Sequence, residues 1–138
     1  MNIQYTKDVN KLTDDMLDGG FFVGWQNPPD SAIHLKILMD SYCSFVAIEK
    51  ETNKVIGFIN AISDGILTAY IPLLEVLPEY KGKGIGKELV RLILEELKGL
   101  YMIDICHDEE LAPFYAKLGA HTGYSSLFRN FSSQSGRV

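Results

Sequence analysis

The sequence lacks the marks of a secreted, metal-dependent or membrane-spanning protein. Its only two cysteines, Cys43 and Cys106, sit in apolar, strand-like runs and read as packing residues rather than a disulfide or a nucleophile. The three histidines, His34, His107 and His121, show no paired ligand spacing, so no metal is expected. No apolar run approaches the ~18 residues needed to cross a bilayer. The opening Met1-Asn2-Ile3-Gln4-Tyr5 has neither the basic nor the apolar block of a signal peptide, so a cytoplasmic location is the default expectation. Positive charge is also short: 13 Lys and Arg against 18 Asp and Glu leave a net charge of -5, which argues against a nucleic-acid partner.

What remains is one ordinary globular chain. At 138 residues it suits a single domain, with no repeat or linker to divide it, and 46% hydrophobic residues suffice for a core. The domain is read as residues 1–131, followed by a polar, mobile tail at 132–138.

One stretch stands out against this background. From Val76 the chain passes Leu77 and Pro78, then Lys81-Gly82-Lys83-Gly84-Ile85-Gly86-Lys87, and enters an amphipathic segment with Ile85, Leu89, Ile93 and Leu97 on one helical face. A strand, a glycine-rich loop and a helix N-terminus in that order make an anion site. The first amides of a helix lack partners and carry the positive end of its dipole. Glycines let a ligand approach those amides, and Lys81, Lys83 and Lys87 add charge. A diphosphate is the expected guest, although a glycine- and lysine-rich turn can also be only a solvated connection. Two common phosphate loops are excluded by spacing. A P-loop needs Gly where Lys81 stands and Ser or Thr where Glu88 stands; a dinucleotide fingerprint needs a third glycine at Lys87 or Leu89.

The remaining elements follow from periodicity. Strands are expected at Ile3–Thr6, Cys43–Lys50, Val55–Ser63, Ala69–Val76 and Tyr101–Cys106, with one or two more over Gly123–Phe131. Glu51-Thr52-Asn53-Lys54 makes an antiparallel hairpin of the second and third strands. Helices are expected at Leu12–Leu17, from Asp30 or Ser31 to about Ser41, after the loop until Gly99, and from Glu109 to Leu118. The strands flanking the loop and its helix should be parallel neighbours. Pro28-Pro29 interrupts regular structure after Trp25-Gln26-Asn27.

The loop resembles the pyrophosphate signature of the GNAT-type, acetyl-CoA-dependent N-acetyltransferases, Arg/Gln-x-x-Gly-x-Gly/Ala, filled here by Lys81 to Gly86 with Lys in place of Arg or Gln. A second segment, Pro113-Phe114-Tyr115-Ala116-Lys117-Leu118-Gly119-Ala120, resembles the family's Phe-Tyr-x-Lys-Leu-Gly-Phe. The resemblance runs from about Phe45 to about Phe131. It implies an α+β acetyltransferase fold, with a mostly antiparallel sheet of six to seven strands whose fourth and fifth, parallel, splay apart, flanked by about four helices. It also implies acetyl-CoA as cofactor, without a metal, and transfer of its acetyl group to a primary amine of a small molecule in a ternary complex.

By the same resemblance, Leu74 and Val76 pair with the pantetheine amides, and a main-chain N–H near Val76 holds the oxyanion. Leu77, Lys81, Gly82, Lys83, Gly84, Ile85, Gly86 and Lys87 complete the cofactor site. Tyr115 matches a tyrosine that donates a proton to the departing thiolate; the competing reading is a Phe114-Tyr115 packing pair. A base is harder to assign, because the family's Glu or His positions hold Tyr70 and Pro72. Glu75 is the nearest carboxylate, but alternation sets it opposite Leu74 unless a bulge intervenes. A water chain is the first alternative, and Asp64 and Asp108 read as turn residues. Trp25, Gln26 and Asn27 fall where the family builds its acceptor site. A binding module of the same fold, with little catalysis, is the second functional reading. Monomer and homodimer stay equally open.

Overall fold

The computed structural model describes residues 1–137; Val138, the end of the expected tail, lies outside the described residues. Five strands, β1 (Ile3–Thr6), β2 (Cys43–Glu49), β3 (Lys54–Ser63), β4 (Thr68–Val76) and β5 (Met102–Ile105), form one sheet in sequential order. The first four are antiparallel neighbours and β4–β5 is the single parallel pair, as the crossover helix between them requires. The three α-helices are α1 (Ser31–Asp40), α2 (Ile85–Glu96) and α3 (Ala112–Ala116).

α2 covers one face of the sheet through the anticipated stripe, Ile85, Leu89, Ile93 and Leu97, each almost fully buried. Gly57 on β3 makes that approach possible, since a Cβ there would stand 3.2 Å from both Ile85 Cγ2 and Leu89 Cδ1. The opposite face carries α1 and the N-terminal turns. Asp30 caps α1, its Oδ1 accepting from Ile33 N at 2.9 Å, and the helix buries His34 and Leu38. His34, Phe21 and Phe22 close on Phe58 with ring centroids 4.3, 5.2 and 6.1 Å away. Burial lowers the His34 pKa to about 4, so the ring is neutral at physiological pH.

Several expectations need correcting. The sheet has five strands, not six or seven: among the described residues Gly123–Phe131 forms no strand, and everything from Gly119 to Ser133 is exposed. Strand propensity there meets no neighbouring strand to complete its ladder. The Leu12–Leu17 helix is instead a pair of 3-10 turns, Val9–Lys11 and Asp14–Leu17, because Thr13 between them is extended (φ -113, ψ 157). The Glu109–Leu118 helix shrinks to a 3-10 turn and the five residues of α3. Pro113, lacking an N–H, stands in its first turn, where a helix begins rather than continues.

The tail turns back onto the body. Gln134 Oε1 accepts from Asn27 N at 2.7 Å, and Arg137 pairs with Asp30 at the start of α1.

Candidate active site

The site begins where β4 leaves β5. Pairing runs from Thr68↔Met102 to Ile71↔Ile105 and stops, while β4 continues to Val76. Its edge on that side is therefore open from Pro72 to Val76, a fork between two parallel strands. The register against β3 shifts at the same place: Asn60 faces Leu73 but Ile62 faces Tyr70, so Ala61 stands against both Ile71 and Pro72. This is a bulge, and Pro72 suits it because a bulged residue leaves the ladder and needs no N–H. The bulge changes which side chains share a face. Tyr70 and Glu75, five apart and on opposite faces of a regular strand, both lie on the Phe58 face, while Leu74 and Val76 face α2 through Ile59 and Gly57.

Beyond Val76, Leu77 N donates to Ile56 O at 2.9 Å, and the Tyr80 hydroxyl donates to Glu49 Oε1 at 3.1 Å, pinning the turn Pro78–Tyr80 to β3 and β2. The chain then needs two left-handed residues to enter α2, Gly82 at φ 79 and Gly84 at φ 82. A Cβ at either would meet nothing within 4 Å, so these glycines answer to backbone conformation and leave open space above the loop. Gly84 is the N-cap of α2 and no side chain caps the helix, so its first amides point outward without a side-chain acceptor. Lys81, Lys83 and Lys87 are exposed and form no ion pair with the described residues; Lys83 Nζ sits 6.0 Å from the centre of the Tyr80 ring. Unpaired cations, uncapped amides and an open cradle suit a diphosphate.

Gly86 differs from the other two. It is helical, and an added Cβ would touch Val76 Cγ2 at an ordinary 3.7 Å. Gly86→Ala should therefore leave stability unchanged or raise it by up to about 1 kcal/mol. Gly84→Ala should lose about 1–2 kcal/mol, the strain of an L side chain in the left-handed region. Paired urea melts of the two variants check this, and equal stabilities would refute it.

On the other side of the fork, Tyr115 projects from α3. Its ring is buried, stacked on His107 at 4.6 Å and edge-on to Phe114 at 5.0 Å. Burial raises its phenol above the usual tyrosine value, so it stays protonated. The hydroxyl forms no hydrogen bond with the described residues, nor is it sealed from solvent without a partner. His107, two residues beyond β5, thus orients Tyr115, a role that only its place after the strand end hinted at in the sequence.

Glu75 is committed elsewhere. Its Oε1 accepts from Phe22 N at 2.7 Å and its Oε2 from Val23 N at 3.2 Å, holding a turn in which Phe22 itself is left-handed (φ 64). Trp25 follows, its N–H bonded to Phe22 O and its ring 4.9 Å from that of Phe22; Gln26 and Asn27 beside it are exposed. Glu75 therefore ties the Trp25 loop to β4 next to the fork. Asp64 is a turn residue: its Oδ1 accepts from Ile66, Leu67 and Thr68 amides, which lowers its pKa. Asp108 accepts through its main chain from Leu111 N and opens the 3-10 turn before α3.

Tyr70 is partly exposed, and the neighbouring Cys106 thiol, with some burial, raises its phenol, so it carries no base at neutral pH. Cys106 is not a core residue as expected. It stands half-buried past the end of β5, its thiol lowered first by Tyr70 and then by Ser125, whose Oγ is 3.6 Å away. Ser125 was absent from the candidate residues because nothing local links it to a strand end. Cys43 is half-buried and burial raises its thiol to about 11. Among the described residues no group of His, Cys, Asp and Glu could hold a metal, and no helix is long and apolar enough to cross a membrane.

Known proteins share this arrangement. A proposed acetyltransferase from Deinococcus radiodurans R1 superposes with a TM-score of 0.93 at 40% identity, over 99% of this chain and 94% of its own. An uncharacterised N-acetyltransferase, ycf52, of Gracilaria tenuistipitata var. liui is 31% identical over 117 residues, 81% of this chain; the chain spans only 59% of that relative's length. Glucosamine-6-phosphate N-acetyltransferase of Arabidopsis thaliana, at 17% identity and a TM-score of 0.72 over 95% of this chain and 99% of its own, shares the fold. The profile of the Acetyltransferase (GNAT) family matches residues 11–120, a span that includes the fork, the glycine loop and Tyr115. The chain belongs to the GNAT family of acetyltransferases.

Proposed function

We propose that this chain is an acetyl-CoA-dependent N-acetyltransferase that moves an acetyl group directly to a primary amine of a small molecule. The observation that carries the reading is the pair of left-handed glycines, Gly82 and Gly84, feeding an uncapped α2 N-terminus at the mouth of the β4–β5 fork. Acetyl-CoA supplies the acetyl group already activated as a thioester. Its pyrophosphate suits the amides of Ile85, Gly86 and Lys87 and the charges of Lys81, Lys83 and Lys87. The open edge of β4 at Leu74 and Val76 offers main-chain partners for the pantetheine arm, Leu77 N being already bonded to Ile56 O, and an N–H near Val76 stabilises the oxyanion. Tyr115 keeps its proton until the thiolate departs and then donates it.

The amine must lose a proton, and Glu75, the carboxylate on β4 nearest the fork, is not free to take it. In this reading Glu75 is a positioning residue rather than a base, because both of its oxygens already hold main-chain N–H groups. Water leading to bulk solvent carries the proton instead. The Trp25, Gln26 and Asn27 loop, which Glu75 fastens to β4, contacts the acceptor. The same engaged carboxylate favours a second reading, an acyl-CoA-binding module with little catalysis.

Isothermal titration with acetyl-CoA, followed by thiol-release assays over a panel of small amines, separates the two. Micromolar binding with turnover of an amine supports the enzyme; binding without turnover of any amine supports the module; absent binding removes both. Lys81→Glu should weaken acetyl-CoA binding by about 1–2 kcal/mol or more, the loss of a charge-assisted contact. Affinity unchanged within error would reduce the loop to a connection.

A further inference from the structure

The Trp25 loop is fastened to β4 at its start and to the end of the chain at its finish. At the start Glu75 accepts from Phe22 N and Val23 N. At the finish Asn27 N donates to Gln134 Oε1 at 2.7 Å. Pro28 and Pro29 follow without an N–H, so Asn27 carries the last main-chain donor of the loop. Between the two ties Trp25 N bonds only within the loop, to Phe22 O. Among the described residues no other hydrogen bond joins residues 22–27 to the body.

A polar chain end stays mobile unless contacts offset the entropy of ordering it. Three contacts hold residues 134–137. Gln134 takes the Asn27 amide, Gly136 lies against Ile33 in the first turn of α1, and Arg137 pairs with Asp30, the cap of that helix. Both members of the ion pair are more than half exposed, so it contributes little by itself. The seat of Gly136 is more demanding. Its φ is 76, and an added Cβ would stand 2.9 Å from Ile33 Cγ2, a methyl on a β-branched side chain that has little freedom to swing away. Only glycine fits there without displacing the tail.

What the tail steadies is the exposed part of the loop. Phe22 is left-handed (φ 64), a conformation that a bulky residue keeps only where its surroundings over-determine it, and Glu75 does so. Beyond it, Gly24 (φ 85) leaves the backbone free to swing, and Trp25 is 40% exposed. The direction of the indole therefore depends on what holds Asn27.

We propose that Gln134 and Gly136 are positioning residues for the amine acceptor: the tail clasps the far end of the Trp25 loop and sets where Trp25, Gln26 and Asn27 stand. The clasp stands on these contacts alone, and its bearing on the amine rests on the acetyltransferase reading above.

Trp25 is the only tryptophan of the chain, so its fluorescence reports the loop directly. In the full chain, Gln134→Leu and, separately, Gly136→Val should raise acrylamide quenching of Trp25 about twofold, close to the limit for an indole already 40% exposed. Gln134→Glu keeps an acceptor oxygen for Asn27 N and should quench as the wild type does. Neither position lies in the core, so the circular dichroism spectrum of each variant should stay native. Acetyl-CoA affinity should hold within about twofold in all three. The KM of an amine that the protein acetylates should rise about fivefold in Gln134→Leu and Gly136→Val with kcat nearly unchanged, as the loss of one neutral hydrogen bond predicts. Quenching unchanged in both of these variants overturns the proposal, and so does raised quenching with an unchanged amine KM. The fluorescence needs no turnover, so it decides the clasp even where every amine fails and the acetyltransferase reading falls.

Discussion

Tyr115→Phe is expected to cut turnover about 100-fold or more while leaving acetyl-CoA affinity within twofold, the loss that removal of a general acid produces. The geometry makes the test discriminating. The Tyr115 hydroxyl forms no hydrogen bond with the described residues, whereas the ring makes all the packing contacts with His107 and Phe114. Phenylalanine keeps the ring and removes only the proton donor. A purely structural tyrosine would therefore give a variant with unchanged turnover, and burial that holds the phenol protonated would then have no catalytic use. Single-turnover rates and titration calorimetry on the same samples separate chemistry from binding.

The largest loss of stability should come from Phe58→Ala. Phe58 is 0% exposed and meets Phe21, Phe22 and His34 on the face opposite α2. Truncation removes the buried ring, leaves a cavity and breaks several aromatic contacts, at a cost of about 3–5 kcal/mol. For a chain of this size the melting temperature should fall on the order of 10–20 °C. The damage should also reach the Trp25 loop, because Phe22 packs on Phe58 while its amide is held by Glu75. Calorimetric melting measures the first effect. A fall of less than about 1 kcal/mol would mean that the cluster collapses around the gap or contributes little.

Much of the scaffold was legible because it is local. The α2 stripe repeats every four residues and is buried as read. The hairpin forms where Glu51 to Lys54 announced it, with Asn53 taking the left-handed position (φ 58) that asparagine tolerates. The glycine loop was legible too, and its geometry refines the reading: Gly82 and Gly84 are demanded by backbone angles, Gly86 is not.

What escaped the sequence depends on distant partners. Alternation set Glu75 opposite Leu74, as it stands, but could not show that the bulge at Ile71 and Pro72 turns Tyr70 onto the face of Glu75. Glu75 looked like a spare carboxylate until its bonds to Phe22 and Val23, more than fifty residues earlier in the chain, accounted for both oxygens. Cys106 looked like core until the segment after α3 brought Ser125 to it. Gly123 to Phe131 looked like strand, and among the described residues no strand pairs with it.

The sequence by itself determined the order of β1 to β5, the glycine loop after β4 and the buried stripe of α2, since these rest on dihedral preference and periodicity within a few residues. Only the tertiary structure decided where β4 parts from β5, that Tyr70 shares a face with Glu75 and that both Glu75 oxygens are engaged. Those depend on strand register and on long-range hydrogen bonds, and a one-residue slip in register reverses every side chain beyond it.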